Sequence, residues 1–132
     1  MKYSIVCPFK DCVCIEEQFT SDPAANGFYI ELTLTVEDDQ VVLYGWDSKN
    51  EKEDCILAQG ALPVLKELVS GVRSSKDDEF ALVYEQALRY LVNRILAQEW
   101  QKYLMIEFHV NSTLELVEVL LNKGMLDWLQ EL

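Results

Sequence analysis

From Asp77 to Tyr103 the chain holds one apolar face in helical register for about seven turns of about 3.6 residues each. Phe80, Val83, Tyr84, Ala87, Leu88, Leu91, Val92, Ile95, Leu96, Trp100 and Tyr103 follow the i, i+3, i+4, i+7 spacing. Glu85, Gln86, Arg89, Asn93, Arg94, Gln98, Gln101 and Lys102 fall between them and can stay in water. The spacing predicts a helix over 77–103. Ser75-Lys76-Asp77-Asp78 opens it with capping-box spacing, and Asp77, Asp78 and Glu79 place negative charge at the positive end of its dipole. A stripe this broad must be covered by a layer of similar size.

The N-terminal half supplies that layer as strands. Phe28, Ile30, Leu32, Leu34 and Val36 alternate with Tyr29, Glu31, Thr33, Thr35 and Glu37, which predicts a half-buried strand over 28–37. Asp38-Asp39 turns the chain, and 40–46 returns it as an antiparallel hairpin partner. Residues 2–7 and 12–19 read as two earlier strands, and 55–58 as a short later one. Ser21 to Gly27 is rich in turn-forming residues and reads as a projecting loop.

Leu62, Leu65, Leu68, Val69 and Val72 form the apolar face of a helix near 62–72, with Pro63 in its first turn and Gly71 and Ser74-Ser75 at its end. Leu104, Ile106, Phe108 and Val110 then alternate with Met105, Glu107 and His109. That pattern predicts a break near Leu104 and a strand over 104–110 returning to the sheet. Ser112-Thr113-Leu114-Glu115 opens a further helix near 113–123, which stops at Gly124 as a C′ residue. The expected fold class is α+β: an N-terminal antiparallel β-meander packed on the long helix, in one globular domain over 1–132.

A chain of 132 residues, half of them hydrophobic, can build a core without metal or disulfide staples. No charge-free apolar run approaches the roughly 18 residues that span a bilayer. The apolar start meets Pro8, Lys10 and Asp11 too early for a signal peptide, so the expected location is the cytoplasm. The net charge of −12 argues against direct binding to nucleic acid or to an anionic membrane, both of which reward a basic surface. The charge is uneven: residues 11–54 hold twelve acidic residues against Lys49 and Lys52, a balance of −10.

Cys7, Cys12, Cys14 and Cys55 are spaced by four, one and forty residues, without the paired C-x-x-C of a zinc ribbon. They read as small buried hydrophobes, with no metal and no cofactor expected. A metal-binding or enzymatic domain built on these four is the competing interpretation. Catalytic signatures are missing: there is no nucleophile elbow, Walker A loop, dinucleotide-binding glycine fingerprint or H-E-x-x-H. His109, the single histidine, shares a strand face with Glu107 in this reading, as a surface pair. Glu115 and Glu118 at i and i+3 read as a solvated helix flank, and Cys12 lies beside Asp11 and Glu16, which disfavour a thiolate. The expectation is a protein that is not an enzyme.

The most function-like feature is the acidic hairpin and the polar loop after it. Glu37, Asp38, Asp39, Asp47, Glu51, Glu53 and Asp54 surround Trp46, and aromatics flanked by carboxylates suit a partner that bears Arg or Lys. In charge and size the chain is similar to small acidic inhibitors, such as nuclease-toxin immunity proteins and phage-encoded blockers of nucleic-acid enzymes. That likeness lies in composition and carries no shared motif. It implies a module that occupies a basic partner surface, a nuclease or other nucleic-acid enzyme being the type, with carboxylates where phosphates would lie. A third reading is a homo-oligomer whose apolar C-terminal segment, Met125 to Leu132, packs on a second copy.

Overall fold

Alternating apolar residues in the N-terminal half become strands because a layer of helices gives their apolar side something to face. The computed structural model describes residues 9, 14–22, 27–37, 40–48 and 55–131. Its strands are β1 (Ile15–Thr20), β2 (Ile30–Glu37), β3 (Gln40–Asp47) and β4 (Cys55–Gln59), joined as an antiparallel meander in the order β1-β2-β3-β4. The central ladder runs from Ile30↔Asp47 to Glu37↔Gln40. Phe28 and Tyr29 precede β2 instead of belonging to it, and the strand expected over 12–19 is Ile15–Thr20. The strand expected over 2–7 lies outside the described residues. One extra residue, Leu57, is accommodated where the β3–β4 register shifts, since Leu43 pairs with Ala58 but Tyr44 pairs with Ile56.

The helices are α1 (Ala61–Ser74), α2 (Asp78–Ile95), α3 (Gln98–Glu107) and α4 (Thr113–Asn122), followed by a 3₁₀ turn at Asp127–Glu131. The fold is therefore α+β. Helix α1 packs on β3 and β4, α2 packs on β1 and β2, and α4 covers both helices from outside. Ile30, Leu32, Leu34, Val36, Val41 and Leu43 from the sheet meet Leu65, Leu68, Val83, Leu88 and Leu91 from the helices in one core. Phe9 is wholly buried in it as well.

Three expectations are corrected. Helix 77–103 is two helices, because α2 ends at Ile95 and α3 begins at Gln98. Leu96 and Ala97 between them are extended, with φ −121°, ψ 133° and φ −61°, ψ 143°. One continuous helix from Asp78 to Glu107 would be about 45 Å long at about 1.5 Å per residue, more than the roughly 35 Å span of a domain this size. The strand over 104–110 is instead the last turn of α3 and its exit. Alternation over so few residues does not distinguish a strand from a helix end. Gly71 does not end α1. It is buried one turn before the C-terminus, and its carbonyl accepts the Ser75 N–H and hydroxyl.

Helices α2 and α4 start at side-chain caps, but Ser75, where the capping-box spacing would start α2, instead ends α1, and the cap falls to Asp77. Asp77 caps α2 by accepting the Glu79 N–H at 2.8 Å, and Ser112 caps α4 by accepting the Glu115 N–H at 3.1 Å. Gly124, with φ 69°, closes α4 in a Schellman motif: the Met125 N–H reaches the Leu120 carbonyl at 3.0 Å and the Gly124 N–H reaches that of Leu121. The same motif ends α3, where the left-handed position is filled by His109 at φ 55°.

Candidate functional site

The strands carry Glu16, Glu17, Glu31, Glu37 and Asp47 and not one lysine or arginine. The described cations from Lys66 onward all belong to the helical half. One face of the sheet is buried under α1 and α2. The opposite face presents Glu31, Thr33 and Thr35 from β2 and Val42, Tyr44 and Trp46 from β3, each only part-buried. Tyr29, Tyr44, Trp46, Val42 and Ile56 stand outside the hydrophobic core. Ile56 is 57 % exposed although it is a strand residue.

Register gathers this apolar surface at one end of the sheet. Glu31 lies across from Trp46, and Tyr44 lies across from Ile56. The rings of Tyr29 and Trp46 meet at 5.0 Å between centroids, tilted by 49°. Their backbone is fixed by serines: Tyr29 and Ser48 exchange bonds, with the Tyr29 N–H donating to the Ser48 hydroxyl at 2.7 Å and the Ser48 N–H to the Tyr29 carbonyl at 2.9 Å. Buried Ser21 holds the next residue in the same way, donating its N–H to the Ile30 carbonyl and accepting the Ile30 N–H at 3.0 Å. Gln18 on β1 donates to Glu31 Oε1 at 2.9 Å, which draws that carboxylate toward β1, while Trp46 lies across from Glu31 on the other side, in β3.

The candidate residues divide between places. Glu37 and Trp46 share the open face by strand parity but sit six positions apart in the ladder, roughly 20 Å at about 3.3 Å per residue. Asp47, next to Trp46, alternates to the helix side. There it and Glu67, after burial itself, push the Tyr84 phenol above its ordinary range. Asp38, Asp39, Glu51, Glu53 and Asp54 lie outside the described residues. Trp46 is thus separated from Glu37 and faces away from the side that Asp47 takes, and among the described residues the carboxylate across the ladder from it is Glu31. Sequence reading missed Glu31, Tyr29 and Tyr44 as site residues. Period two put Tyr29 and Glu31 on the outward face, but only strand register brings them to Trp46.

The other candidates are placed as follows. Cys14 and Cys55 are exposed, against the expectation of burial. They lie at opposite edges of the sheet, three strand spacings or roughly 14 Å apart before any offset along the strands. Cysteines ligating one zinc sit about 2.3 Å from it, so a single site made of Cys7, Cys12, Cys14 and Cys55 does not fit this geometry. Cys7 and Cys12 are outside the described residues. Among the described residues no three His, Cys, Asp or Glu side chains are grouped to hold a metal ion. His109 lines a depression of about 360 Å³ with Met105, Ile106, Val110 and Asn111. Glu118 pairs with Arg73 across α1 and α4, and Glu115 accepts the Asn111 N–H.

No described helix is long and apolar enough to cross a membrane. No protein family matches this chain, and no curated protein or solved structure does either.

Proposed function

We propose that this chain is a protein-binding module that receives a basic partner surface on the open face of its sheet. The observation that supports it is the Tyr29–Trp46 pair, left outside the core and flanked by Glu31, on strands without a single cation. A partner arginine stacked on those rings would meet the Glu31 carboxylate at its edge, combining cation–π contact with ion pairing. Thr33 and Thr35 offer hydroxyls further along the same face. The remaining carboxylates, Glu16 and Glu37 among them, add a field that steers a basic partner and weakens with salt. In this reading the protein acts as an inhibitor or immunity-type module covering the basic, nucleic-acid-binding surface of an enzyme, without touching nucleic acid itself.

Titration with a deca-arginine peptide, followed by amide NMR, tests this directly. Shifts should concentrate at 29–33 and 42–46 and spare α3 and α4. Trp46→Ala leaves the net charge at −12 and should still weaken binding by about tenfold or more, as loss of an aromatic anchor does. Equal affinity of wild type and Trp46→Ala, or shifts spread evenly over the chain, would reduce the acidic surface to a solubility device.

A further inference from the structure

The open face of the sheet is divided lengthwise. Register sets Gln18, Thr33, Tyr44 and Ile56 in one row across its middle. On one side of that row lie Glu16, Thr35 and Val42, and on the other Thr20, Glu31 and Trp46. Along the strands, therefore, Val42, Tyr44, Trp46 and Ile56 make an apolar stripe on β3 and β4, while Glu16, Gln18 and Thr20 make a polar one on β1. Between them run the short side chains of Thr33 and Thr35, with Glu31 and Glu37 toward the two ends of β2. Threonine is shorter than tyrosine or tryptophan. A rod laid along β2 thus rests against the aromatic stripe on one flank and meets carboxylates on its other flank and at its ends.

Physical chemistry limits what that rod can be. A segment lying on a face, instead of pairing with an edge, finds no backbone partners in the sheet. Its own N–H and C=O groups must be satisfied internally, which an α-helix does and a lone extended strand does not. A second sheet would cover the full width of the face and bury the carboxylates with the apolar stripe. A helix about 10 Å across covers the stripe and leaves its flanks wet, where long cationic side chains reach outward. Lengths agree as well. The paired part of β2 and β3 runs from Ile30 to Glu37, seven steps or roughly 23 Å at about 3.3 Å each, which about 15 helical residues span. Helix positions i and i+4 lie about 6 Å apart along the axis, close to the roughly 6.6 Å between Val42, Tyr44 and Trp46.

We infer that the open face seats a cationic amphipathic helix of the partner, laid along β2 over Thr33 and Thr35. The inference rests on this face being the binding surface and adds the form of what binds there. The partner helix packs its apolar stripe on Val42, Tyr44, Trp46 and Ile56, and turns an Arg- or Lys-rich flank to Glu16 and Glu31. Charge fixes the sign of that flank, because the four strands carry carboxylates and no cation. Ile56, 57 % exposed on a strand, gains the cover it lacks. The bound helix forms a third layer, on the side of the sheet opposite α1 and α2.

Two peptides of about 15 residues and identical leucine, arginine and glutamine content provide the test. One places leucine at the i, i+3, i+4, i+7 positions of a helix, and the other scrambles the same residues, so that charge and apolar content match. Each is titrated into the full chain, with amide NMR reporting the site and circular dichroism the peptide's conformation. The amphipathic peptide should bind about tenfold or more tightly than its scramble and gain helical signal when bound. It should shift the amides of Val42, Tyr44, Trp46 and Ile56 together with that of Glu16. Ile56→Thr keeps a β-branched residue at an exposed position, and it should weaken the amphipathic peptide about threefold or more and the scramble less. If deca-arginine binds the face while the two peptides bind alike, or the bound peptide stays non-helical, the helix is overturned and the binding face stands. Shifts confined to 55–59 would mean a strand added at the β4 edge, and they overturn the helix too. If neither deca-arginine nor the amphipathic peptide shifts the open face, the binding face fails and the helix falls with it.

Discussion

The Tyr84 ring of α2 lies directly over Gly71 of α1, occupying the space that any Cβ there would need. The two helices approach closely because residue 71 is glycine. Gly71→Ala adds helix propensity, worth about 1 kcal/mol, but must push the ring away, and overpacking of this kind costs about 1–3 kcal/mol. The variant should therefore melt lower than wild type. In a Tyr84→Ala background the obstruction is gone, so the same substitution should raise the melting temperature. Thermal denaturation of the four proteins checks the sign reversal.

Burial, and then the fields of Glu67 and Asp47, hold the Tyr84 phenol above its ordinary value of 10.0. Below that pH the phenol is protonated whether the chain is folded or not, and the favourable neutral form contributes in full. As pH rises past 10.0 toward the higher folded value, the unfolded chain loses its proton first, and stability falls. Denaturant melts above pH 10 should show this loss in wild type and a shallower one in Tyr84→Phe. Equal slopes would mean the phenol titrates alike in both states.

Leu91 is fully buried at the centre of the helix stripe. Leu91→Ala should cost about 2–5 kcal/mol, the range of large-to-small changes in packed cores. A domain of this size has about 5–15 kcal/mol in total, so urea denaturation should show a large drop in midpoint.

His109 and Gly124 fill the same left-handed position in two Schellman motifs, at φ 55° and φ 69°. A side chain in this region is strained by about 1–2 kcal/mol, which glycine avoids at the expense of a more flexible unfolded chain. His109→Gly should consequently stabilise the protein by about 0.5–1 kcal/mol and raise Tm by about 2–4 °C. Gly124→Ala should do the reverse, and calorimetry on the pair measures both.

Cys14 and Cys55 are exposed on opposite sheet edges. Alkylation of the native protein followed by mass spectrometry should modify both. No disulfide should link them under mild oxidation, because bridged cysteines need Cα atoms within about 7 Å. Cys55, whose thiol lies 3.7 Å from the Gly45 carbonyl, should react more slowly than its exposure suggests.

Much of the fold was legible in the chain because its causes are local. Period two over Ile30–Val36 set which side of β2 is buried, Ser112 with Glu115 set the start of α4, and Gly124 set its end. Each of these depends on residues within one turn or one strand, so spacing and residue type are sufficient. The acidic bias of the sheet was equally plain in composition.

Tertiary structure decided the rest. Neither glycine nor proline stops the helix near Leu96 and Ala97. The bend exists because Leu96 is buried there, because the Gln101 amide caps its carbonyl, and because a straight helix would outrun the core it must cover. The partnership of Trp46 with Tyr29 and Glu31 likewise arises from strand register between residues seventeen and fifteen positions apart, and the same alternation turns neighbouring Asp47 to the helix side. Periodicity assigns a side chain to a face. Which side chains meet on that face, and where a helix must end to fit beneath it, follow only once the layers are packed.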